Sequence, residues 1–272
     1  MIANVLTIAG TDPSGGAGIQ ADIKTMSALG AYACSVVTAV VAQNTCGVRS
    51  FQALEPDFVA AQIDAVLDDV RIDAVKIGMI ANAGIAETVA DRLRHHGADN
   101  IVLDPVMVAK SGHALLDLEA VSAVRDALVP LARVITPNLP EAAVLLDRED
   151  RWTADTMQAA LPDLLALGSR YVLLKGGHLE GETSTDLLAG PQGTRALKAP
   201  RIATTNDHGT GCTLSSAIAA FLPHHDMPEA VTHAKAFLHA ALAQSDALDV
   251  GHGHGPVHHF HTLWPAEAKA QK

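Results

Sequence analysis

Apolar residues follow two alternating patterns along the chain. Short runs rich in β-branched residues predict strands, and longer Ala- and Leu-rich stretches, in which apolar residues recur about every 3.6 positions, predict helices. The predicted strands cover residues 5–9, 35–41, 74–77, 101–103, 133–136 and 171–175, with a further pair near 184–188 and 196–199. The predicted helices cover residues 17–29, 56–70, 83–95, 118–131, 139–146, 154–167, 212–222 and 228–245.

Most of the predicted strands lack alternating polar residues. Strands that are apolar throughout and separated by helices form parallel sheets with both faces covered. We therefore predict an α/β fold with a mostly parallel central sheet, organised as one domain over residues 1–265, with a flexible tail at 266–272. Parallel sheets bind ligands at the carboxyl ends of their strands. The candidate chemistry is therefore expected where strands give way to Gly, Pro or polar residues.

Composition and charge narrow the class of protein. The chain has 19 Lys and Arg against 30 Asp and Glu, a net charge of −11. This balance argues against binding to nucleic acid, because phosphate backbones attract basic surfaces. The three cysteines contain no Cys-x-x-Cys pair, and their odd count favours a reducing compartment. Cys34 and Cys46 are interpreted as packing residues. No apolar run approaches the roughly 18 residues of a membrane-spanning helix, so we expect a cytoplasmic protein with no membrane partner.

The first candidate site is the junction Gly10-Thr-Asp-Pro-Ser-Gly-Gly-Ala-Gly18 between a strand and a helix. Its spacing is similar to a dinucleotide fingerprint, but the second strand ends in Gln43-Asn44, without the carboxylate that would bind a ribose. A ligand-facing loop and a simple turn are both open interpretations. Asp22 follows in the helix, where the macrodipole alone would also favour a carboxylate. Gln43 offers a donor and an acceptor that complement an aminopyrimidine edge, and a capping amide is the alternative.

Polar residues also follow later strands. Asp104 comes directly after the strand at 101–103, Lys175 ends another strand, and Asn138 and Glu141 lie at the start of one helix. The oxygens of Asn138 and Glu141 would suit hydrated magnesium beside a nucleotide. The same two residues also match a capping box, and both interpretations are open.

The most specific junction is Asn206-Asp-His-Gly-Thr-Gly-Cys212, which leads directly into an apolar helix. Its Gly-Thr-Gly segment would present backbone N–H groups at the helix N-terminus, where anions bind. Cys212 lies where a helix dipole lowers the pKa of a thiol and favours the thiolate. A buried small side chain is the alternative for this cysteine. A Gly- and His-rich stretch at 251–261 is interpreted as a loop.

Together these segments resemble the ribokinase-like superfamily, and within it the hydroxymethylpyrimidine/phosphomethylpyrimidine kinases of thiamine biosynthesis. The resemblance extends over nearly the whole chain, through residues 8–25, 38–45, 76–79, 104–112, 136–141, 175–178 and 208–217. It implies a three-layer α/β/α fold and a homodimer. It also implies the ATP-dependent phosphorylation of 4-amino-5-hydroxymethyl-2-methylpyrimidine and then of its monophosphate, with Mg²⁺ as cofactor.

The resemblance also implies roles for individual residues. The residues expected around the pyrimidine are Gly10, Ala17, Asp22, Gln43 and Met79. Those expected at the nucleotide are Asp104, Asn138, Lys175 and His208, with Glu141 and Asn138 serving the magnesium. Those expected at the reacting phosphoryl group are Gly209, Thr210 and Gly211, whose amides would stabilise its charge, and Cys212, which would act as the base.

Two alternative functions are open at this point. A pyridoxal or pyridoxine kinase would use the same scaffold, since both kinds of substrate are nitrogen heterocycles that carry a hydroxymethyl group. A non-catalytic regulator would bind a pyrimidine without turnover. Gln43 favours the aminopyrimidine. The Gly-Thr-Gly-Cys motif, together with Asn138 and Glu141, argues against the regulator, which has no need of these residues.

Overall fold

The computed structural model describes residues 1–107, 117–148 and 151–264. The second half of the segment at 104–112 and the expected tail at 266–272 lie outside the described residues. The strands are β1 (Asn4–Ala9), β2 (Tyr32–Val37), β3 (Ala39–Asn44), β4 (Gly47–Ala53), β5 (Ala74–Ile77), β6 (Ile101–Leu103), β7 (Val134–Ile135), β8 (Tyr171–Leu174), β9 (Thr183–Gly190) and β10 (Gly193–Pro200). The helices are α1 (Gly18–Ala28), α2 (Pro56–Leu67), α3 (Ala83–His95), α4 (Leu118–Ala123), α5 (Leu139–Leu145), α6 (Ala154–Ala166), α7 (Thr210–Phe221) and α8 (Met227–Ala243).

Within the described residues, eight strands form one sheet in the order β10-β9-β8-β7-β6-β5-β1-β2. The strands from β2 to β8 in this order are parallel, and β9 and β10 extend one edge as an antiparallel hairpin. The side chains of α2 to α6 pack on one face of the sheet, and those of α1, α7 and α8 pack on the other. The predicted α/β class, with three layers and a mostly parallel sheet, is confirmed.

The central strand β5 shows why these segments are apolar throughout. Val75 and Ile77 point into the core under α2 to α6, and Ala74 points into the core under α1, α7 and α8. Because successive side chains of a strand alternate between faces, Lys76 shares the face of Ala74. Lys76 is fully buried, so the sheet carries a charged side chain at its centre.

The predicted strand at 35–41 is wrong in its extent, because the chain leaves the sheet at Thr38. The Thr38 amide donates to the Ala9 carbonyl oxygen at 2.9 Å, and its hydroxyl donates to the Met79 carbonyl oxygen at 2.6 Å. The chain then continues into the separate hairpin of β3 and β4. Strand β4 was not predicted, since most of its side chains are exposed and it has no apolar run. Cys46, predicted to pack inside, lies exposed at the hairpin turn.

The predicted helix at 118–131 is also interrupted. Helix α4 ends at Ala123, and the chain continues through a π-helical turn (Val124–Leu128) and a 3₁₀ turn (Val129–Leu131). Pro130 explains the change, because proline has no N–H to donate and its ring clashes with the carbonyl four residues earlier. The apolar period persists through the turns, which is why the pattern alone predicted one helix.

Candidate active site

The N-terminus of α7 presents backbone donors that no described residue uses. The helix begins at Thr210, after Gly209 in the left-handed conformation at φ 78°. Among the described residues, no group accepts a hydrogen bond from the amides of Thr210, Gly211 or Cys212. Such amides, together with the positive end of the helix dipole, form an anion site. This geometry agrees with the predicted role of the Gly-Thr-Gly segment.

A loop at residues 10–17, which we call the glycine loop, packs directly against this helix end. A Cβ atom at Gly209 would overlap the carbonyl oxygen of Gly16 and would lie 3.2 Å from the Ala17 Cα atom. A Cβ atom at Gly16 would lie 2.5 Å from the ring of His208. The two loops therefore meet backbone to backbone, and glycine is required at these positions.

Asp12 holds the glycine loop together. Its buried carboxylate accepts hydrogen bonds from the amides of Ser14, Gly16 and Ala17 at 2.7–3.1 Å. The Nε2 atom of His208 lies 2.8 Å from the same carboxylate. Although burial alone raises the pKa of Asp12, the hydrogen bonds from His208 and Ser14 hold it below its usual range. His208, predicted at the nucleotide, thus directs its ring to the glycine loop instead.

Three of the residues predicted at the pyrimidine lie around this loop. Gln43 follows a β-bulge between Ala42 and Gln43 in the hairpin, and bulges re-aim the side chains next to them. The Gln43 side chain lies close enough to Asp12 to help lower the pKa of its carboxyl group. On the other side, a Cβ atom at Gly10 would lie 3.1 Å from the sulfur of Met79. The structure therefore places Met79 near Gly10 and Gln43 near Asp12, so that both side chains lie close to the glycine loop.

The predicted substrate contact of Asp22 is wrong, because this residue has no exposed surface. Its carboxylate accepts hydrogen bonds from Thr7 Oγ1 at 2.6 Å and from Ser216 Oγ at 2.7 Å. Lys76 Nζ donates to both of its oxygens, at 2.8 and 2.9 Å. Asp22 is therefore saturated by protein donors from β1, β5 and α7.

Lys76 is the residue of this site that the sequence analysis missed. It lies in the segment 76–79 that resembles the family, but the sequence analysis assigns it no role. The available signal was a single charge within the apolar strand Ala74-Val-Lys-Ile77. Because a buried charge must be paired, that pattern indicates a carboxylate nearby, although it does not indicate which one.

Cys212 is half-buried beside this ion pair, and its predicted thiolate is wrong for the free protein. Burial, together with the negative charges of Asp22 and Asp104, raises the pKa of the Cys212 thiol to about 11. Lys76 and the amide of Gly18 act in the opposite direction. The dipole argument failed because it considered the helix N-terminus alone, without the desolvation and the two carboxylates.

On the other side of α7 from the glycine loop, Lys175 and Asp104 form a buried ion pair at 2.9 Å. Although burial alone raises the pKa of Asp104, Lys175 and Lys76 hold it below its usual range. A Cβ atom at Gly211 would lie 3.3 Å from Lys175 Nζ and 3.4 Å from an Asp104 oxygen. The Lys175 ammonium group therefore lies close to Gly211 in the first turn of α7, and a cation there is a further element of an anion site.

Asn138 and Glu141 form a complete capping box at the start of α5. The Asn138 amide donates to Glu141 Oε2 at 2.7 Å, and the Glu141 amide donates to Asn138 Oδ1 at 2.9 Å. Burial and the charge of Asp104 raise the pKa of Glu141 to about 7, although Lys175 opposes the shift. The capping interpretation is therefore confirmed.

The capping box still leaves room for a magnesium role. Among the described residues, no donor reaches the other oxygen of Glu141. The described residues contain no group of three or more His, Cys, Asp or Glu side chains that could hold a metal ion. Magnesium commonly takes one or two protein carboxylates and completes its shell with water and phosphate oxygens. Glu141 and its neighbour Asp104 fit this sparse donor set.

The loop at 251–261 lies beside the site, between the β3–β4 hairpin and the segment that precedes α7. The amides of Gly253 and His254 donate to Thr45 at the hairpin turn, at 3.1 and 2.9 Å. The amide of His208 donates to the Gly255 carbonyl oxygen at 3.0 Å. The segment therefore joins the hairpin to the loop that precedes α7.

Comparison with known proteins assigns this arrangement to a family. The model of the phosphomethylpyrimidine kinase family matches residues 12–258. The chain belongs to the phosphomethylpyrimidine kinase family. This confirms the resemblance and the expectation of a phosphotransferase. The matched region includes the glycine loop, the Lys175–Asp104 pair and the N-terminus of α7.

Individual relatives support the assignment along the chain. The chain is 60% identical to the hydroxymethylpyrimidine/phosphomethylpyrimidine kinase of Salmonella typhimurium over 262 residues, which cover 96% of this chain and 98% of the relative. A phosphomethylpyrimidine kinase structure from Clostridium difficile is 41% identical with a TM-score of 0.79, over 88% of this chain and 99% of that chain. An ADP complex of Bacillus subtilis pyridoxal kinase is 37% identical with a TM-score of 0.88, over 95% and 98% of the two chains.

We predict that Gly209→Ala damages both the fold and the anion site. Gly209 and Gly30 both have positive φ, at 78° and 82°, but only Gly209 has neighbours within contact distance of a Cβ atom. Gly30→Ala should therefore cost about 1–2 kcal/mol of unfolding free energy, the cost of left-handed backbone, and Gly209→Ala should cost more. ADP should raise the thermal unfolding midpoint of Gly30→Ala but not of Gly209→Ala. Equal costs and equal stabilisation by ADP would contradict this interpretation.

We predict that Glu141 makes the free protein less stable as the pH rises. Its folded-state pKa of about 7 lies above the 4.5 of a free glutamate side chain, so the stabilisation is complete below pH 4.5 and is lost as the pH rises through 7. Between pH 5 and pH 8 the parent should lose about 2 kcal/mol relative to Glu141→Gln. Urea unfolding without nucleotide measures this, with the exposed Glu182→Gln as control. Parallel stability curves for the parent and Glu141→Gln would refute it.

Proposed function

We propose that this chain is an ATP-dependent kinase that phosphorylates 4-amino-5-hydroxymethyl-2-methylpyrimidine and then its monophosphate. The observation that carries the proposal is the position of Gly211, whose open amide lies against the Lys175–Asp104 pair and next to Cys212. A phosphoryl group at these amides would have a cation on its nucleotide side and the thiol on its alcohol side. The named relative at 60% identity supports the same substrates.

In this proposal the nucleotide phosphates lie at the N-terminus of α7. Phosphoryl transfer passes through a loose transition state, so positioning and charge stabilisation dominate catalysis. Lys175 and the amides of Thr210 and Gly211 hold the transferring group by charge and hydrogen bonds. Glu141 and the side-chain oxygen of Asn138 would hold Mg²⁺, which neutralises negative charge between the phosphates. The ADP complex of the related pyridoxal kinase supports a nucleotide in this cleft.

The first phosphorylation uses an alcohol nucleophile, which must lose a proton. The hydroxymethyl oxygen forms a bond to the γ-phosphorus, the bond from that phosphorus to the bridging oxygen breaks, and its electrons leave with ADP. The proton moves to the thiolate of Cys212. Because the pKa of Cys212 is about 11 in the free protein, the thiolate is scarce at neutral pH, and the rate should rise with pH. Gln43 holds the pyrimidine edge, and Gly10, Ala17 and Met79 line the ring.

The second phosphorylation uses a phosphate oxygen that is already ionised, since the second pKa of a phosphate ester is about 6. We predict that Cys212→Ala slows the first phosphorylation about 10²-fold or more, the usual contribution of a general base. The second should slow much less. In the parent the first-step rate should rise with pH between 7 and 9, and Cys212→Ala should abolish that rise. Single-turnover rates of both steps on the purified proteins measure the difference.

The matched control for this prediction is Cys34→Ala, which also removes one thiol and lies away from the site in the edge strand β2. It should leave both rates and their pH dependence unchanged. Equal losses in the two steps for Cys212→Ala would mean that Cys212 acts through positioning of the phosphoryl group instead of through proton transfer.

The substrate itself is tested by product mass. Incubation with ATP, Mg²⁺ and the hydroxymethylpyrimidine should add first one and then two phosphoryl groups to the pyrimidine. The 37% identity with a pyridoxal kinase favours pyridoxal as a second candidate substrate, so the same incubation is run with pyridoxal and with both alcohols in competition. A single phosphoryl group on pyridoxal, with none on the pyrimidine, would overturn the proposal. Binding of the pyrimidine without turnover would favour a regulator.

We further propose a cytoplasmic homodimer built from one domain per chain. Support for an interface comes from exposed apolar side chains on the edge strand β2 and on the hairpin, namely Tyr32, Val40 and Phe51. Among the described helices, none combines the length and the apolar character needed to span a bilayer. Sedimentation of the purified chain tests the dimer.

A further inference from the structure

The ion pair of Lys76 and Asp22 lies on the same face of α7 as Cys212. Ser216, which donates to Asp22 Oδ1 at 2.7 Å, follows Cys212 by four residues. Residues four apart on a helix lie above one another on one face. The carboxylate that Ser216 contacts therefore lies against the face of α7 that carries Cys212, and Lys76 Nζ lies 2.8 Å from one of its oxygens.

The Lys76 ammonium group is fixed in this position by its surroundings. A Cβ atom at Gly78 would lie 2.7 Å from Nζ, so the absence of a side chain there makes room for the lysine. Asp22 accepts two of its hydrogen bonds. Among the described residues, no other group accepts one, which leaves one N–H of the ammonium group available.

The charge of Lys76 is maintained despite its burial. Burial alone lowers the pKa of Lys76, but Asp22 raises it above its usual range, and Cys212 and then Asp104 contribute the next largest attractions. A thiolate at Cys212 would therefore be a further negative charge that attracts Lys76. A salt bridge that only stabilised the fold would not need to be charged, because buried pairs can be replaced by apolar side chains at little cost.

We propose that Lys76 is a positioning residue for the kinase reaction, which supplies the buried positive charge that allows Cys212 to exist as a thiolate. Asp22 holds Lys76 in place by hydrogen bonds, and the charges of both Asp22 and Asp104 favour its protonated form. When Cys212 loses its proton to solvent, the available N–H of Lys76 faces the new negative charge. When the substrate alcohol is phosphorylated, its proton neutralises the thiolate again. This inference rests on the proposed role of Cys212 as the base.

The test measures the reactivity of Cys212 in a protein in which it is the remaining cysteine. The background is Cys34→Ser with Cys46→Ser, and the readout is the rate of alkylation by iodoacetamide between pH 8 and pH 10. Removing an opposite charge within about 4–6 Å shifts a pKa by one unit or more. Lys76→Met should therefore slow alkylation at least tenfold at each pH. Asp22→Asn should speed it, because Asp22 raises the pKa of the thiol.

The opposite directions separate an electrostatic role from a structural one. Both single variants disturb the same buried pair, so a purely structural effect would change alkylation in the same direction in both. No change in Lys76→Met, or changes of the same sign in the two variants, would overturn the proposal. The control is Lys235→Met with Asp186→Asn, which removes a second lysine–aspartate pair, at 2.6 Å between α8 and β9. It should leave alkylation unchanged.

A variant with both charges removed covers the case in which the single variants do not fold. Lys76→Met with Asp22→Asn leaves no unpaired charge in the core. Because the influence of Lys76 on Cys212 exceeds that of Asp22, alkylation of this double variant should still be slower than in the parent. An equal or faster rate would contradict the proposal.

The kinetics of the two phosphorylations distinguish failure of this inference from failure of the proposed function. If Lys76 acts through Cys212, the double variant should slow the alcohol phosphorylation several-fold more than the phosphate phosphorylation. If alkylation is slower but the rates of both phosphorylations fall equally, Lys76 does act electrostatically on Cys212. The same result would contradict the proposal that Cys212 is the base. An unchanged alkylation rate would contradict the inference about Lys76 and would not bear on the proposed kinase activity.

Discussion

The site depends on one buried carboxylate, that of Asp22. It accepts hydrogen bonds from Thr7 on β1, Lys76 on β5 and Ser216 on α7, and so ties two neighbouring strands to two helices of one layer. A buried carboxylate with fewer partners would be costly, so these elements have little freedom to move apart. The first turn of α7 is held in place by this contact and by the close approach of Gly209 to Gly16.

The fixed helix end divides the site into two halves. On one side lie the glycine loop, Gln43 and Met79. On the other side Lys175, Asp104 and Glu141 concentrate charge, and their buried positions strengthen every interaction because solvent screening is weak. The two halves meet at Gly211 and Cys212. Lys175 lies close to Gly211, and the charge of Lys76 lowers the pKa of Cys212. Relatives named as a hydroxymethylpyrimidine/phosphomethylpyrimidine kinase and as a pyridoxal kinase are similar to this chain over nearly its whole length.

The sequence predicted what depends on local pattern, and it missed what depends on contacts between distant segments. The alternation of strands and helices follows from burial on both faces of a parallel sheet. The N-terminus of α7 follows from its Gly-Thr-Gly segment. Strand β4 could not be found, because an exposed hairpin carries no apolar signal. The predictions for Asp22 and Cys212 failed because they depend on contacts that no local motif reveals. Lys76, more than fifty residues from Asp22 in the chain, pairs with the Asp22 carboxylate. Burial, with the charges of Asp22 and Asp104, raises the pKa of the Cys212 thiol.

The most direct test is the pKa of the Cys212 thiol in the folded protein with Cys34 and Cys46 replaced by Ser. Thiolate absorbs in the ultraviolet where thiol does not, so a pH titration of absorbance counts the thiolate without a reagent that must enter the site. A buried thiol between two carboxylates and one lysine should show no thiolate at neutral pH and should titrate near 11. A full thiolate signal at pH 7 would show that the helix dipole dominates, and would contradict the balance of burial and buried charge described for this site.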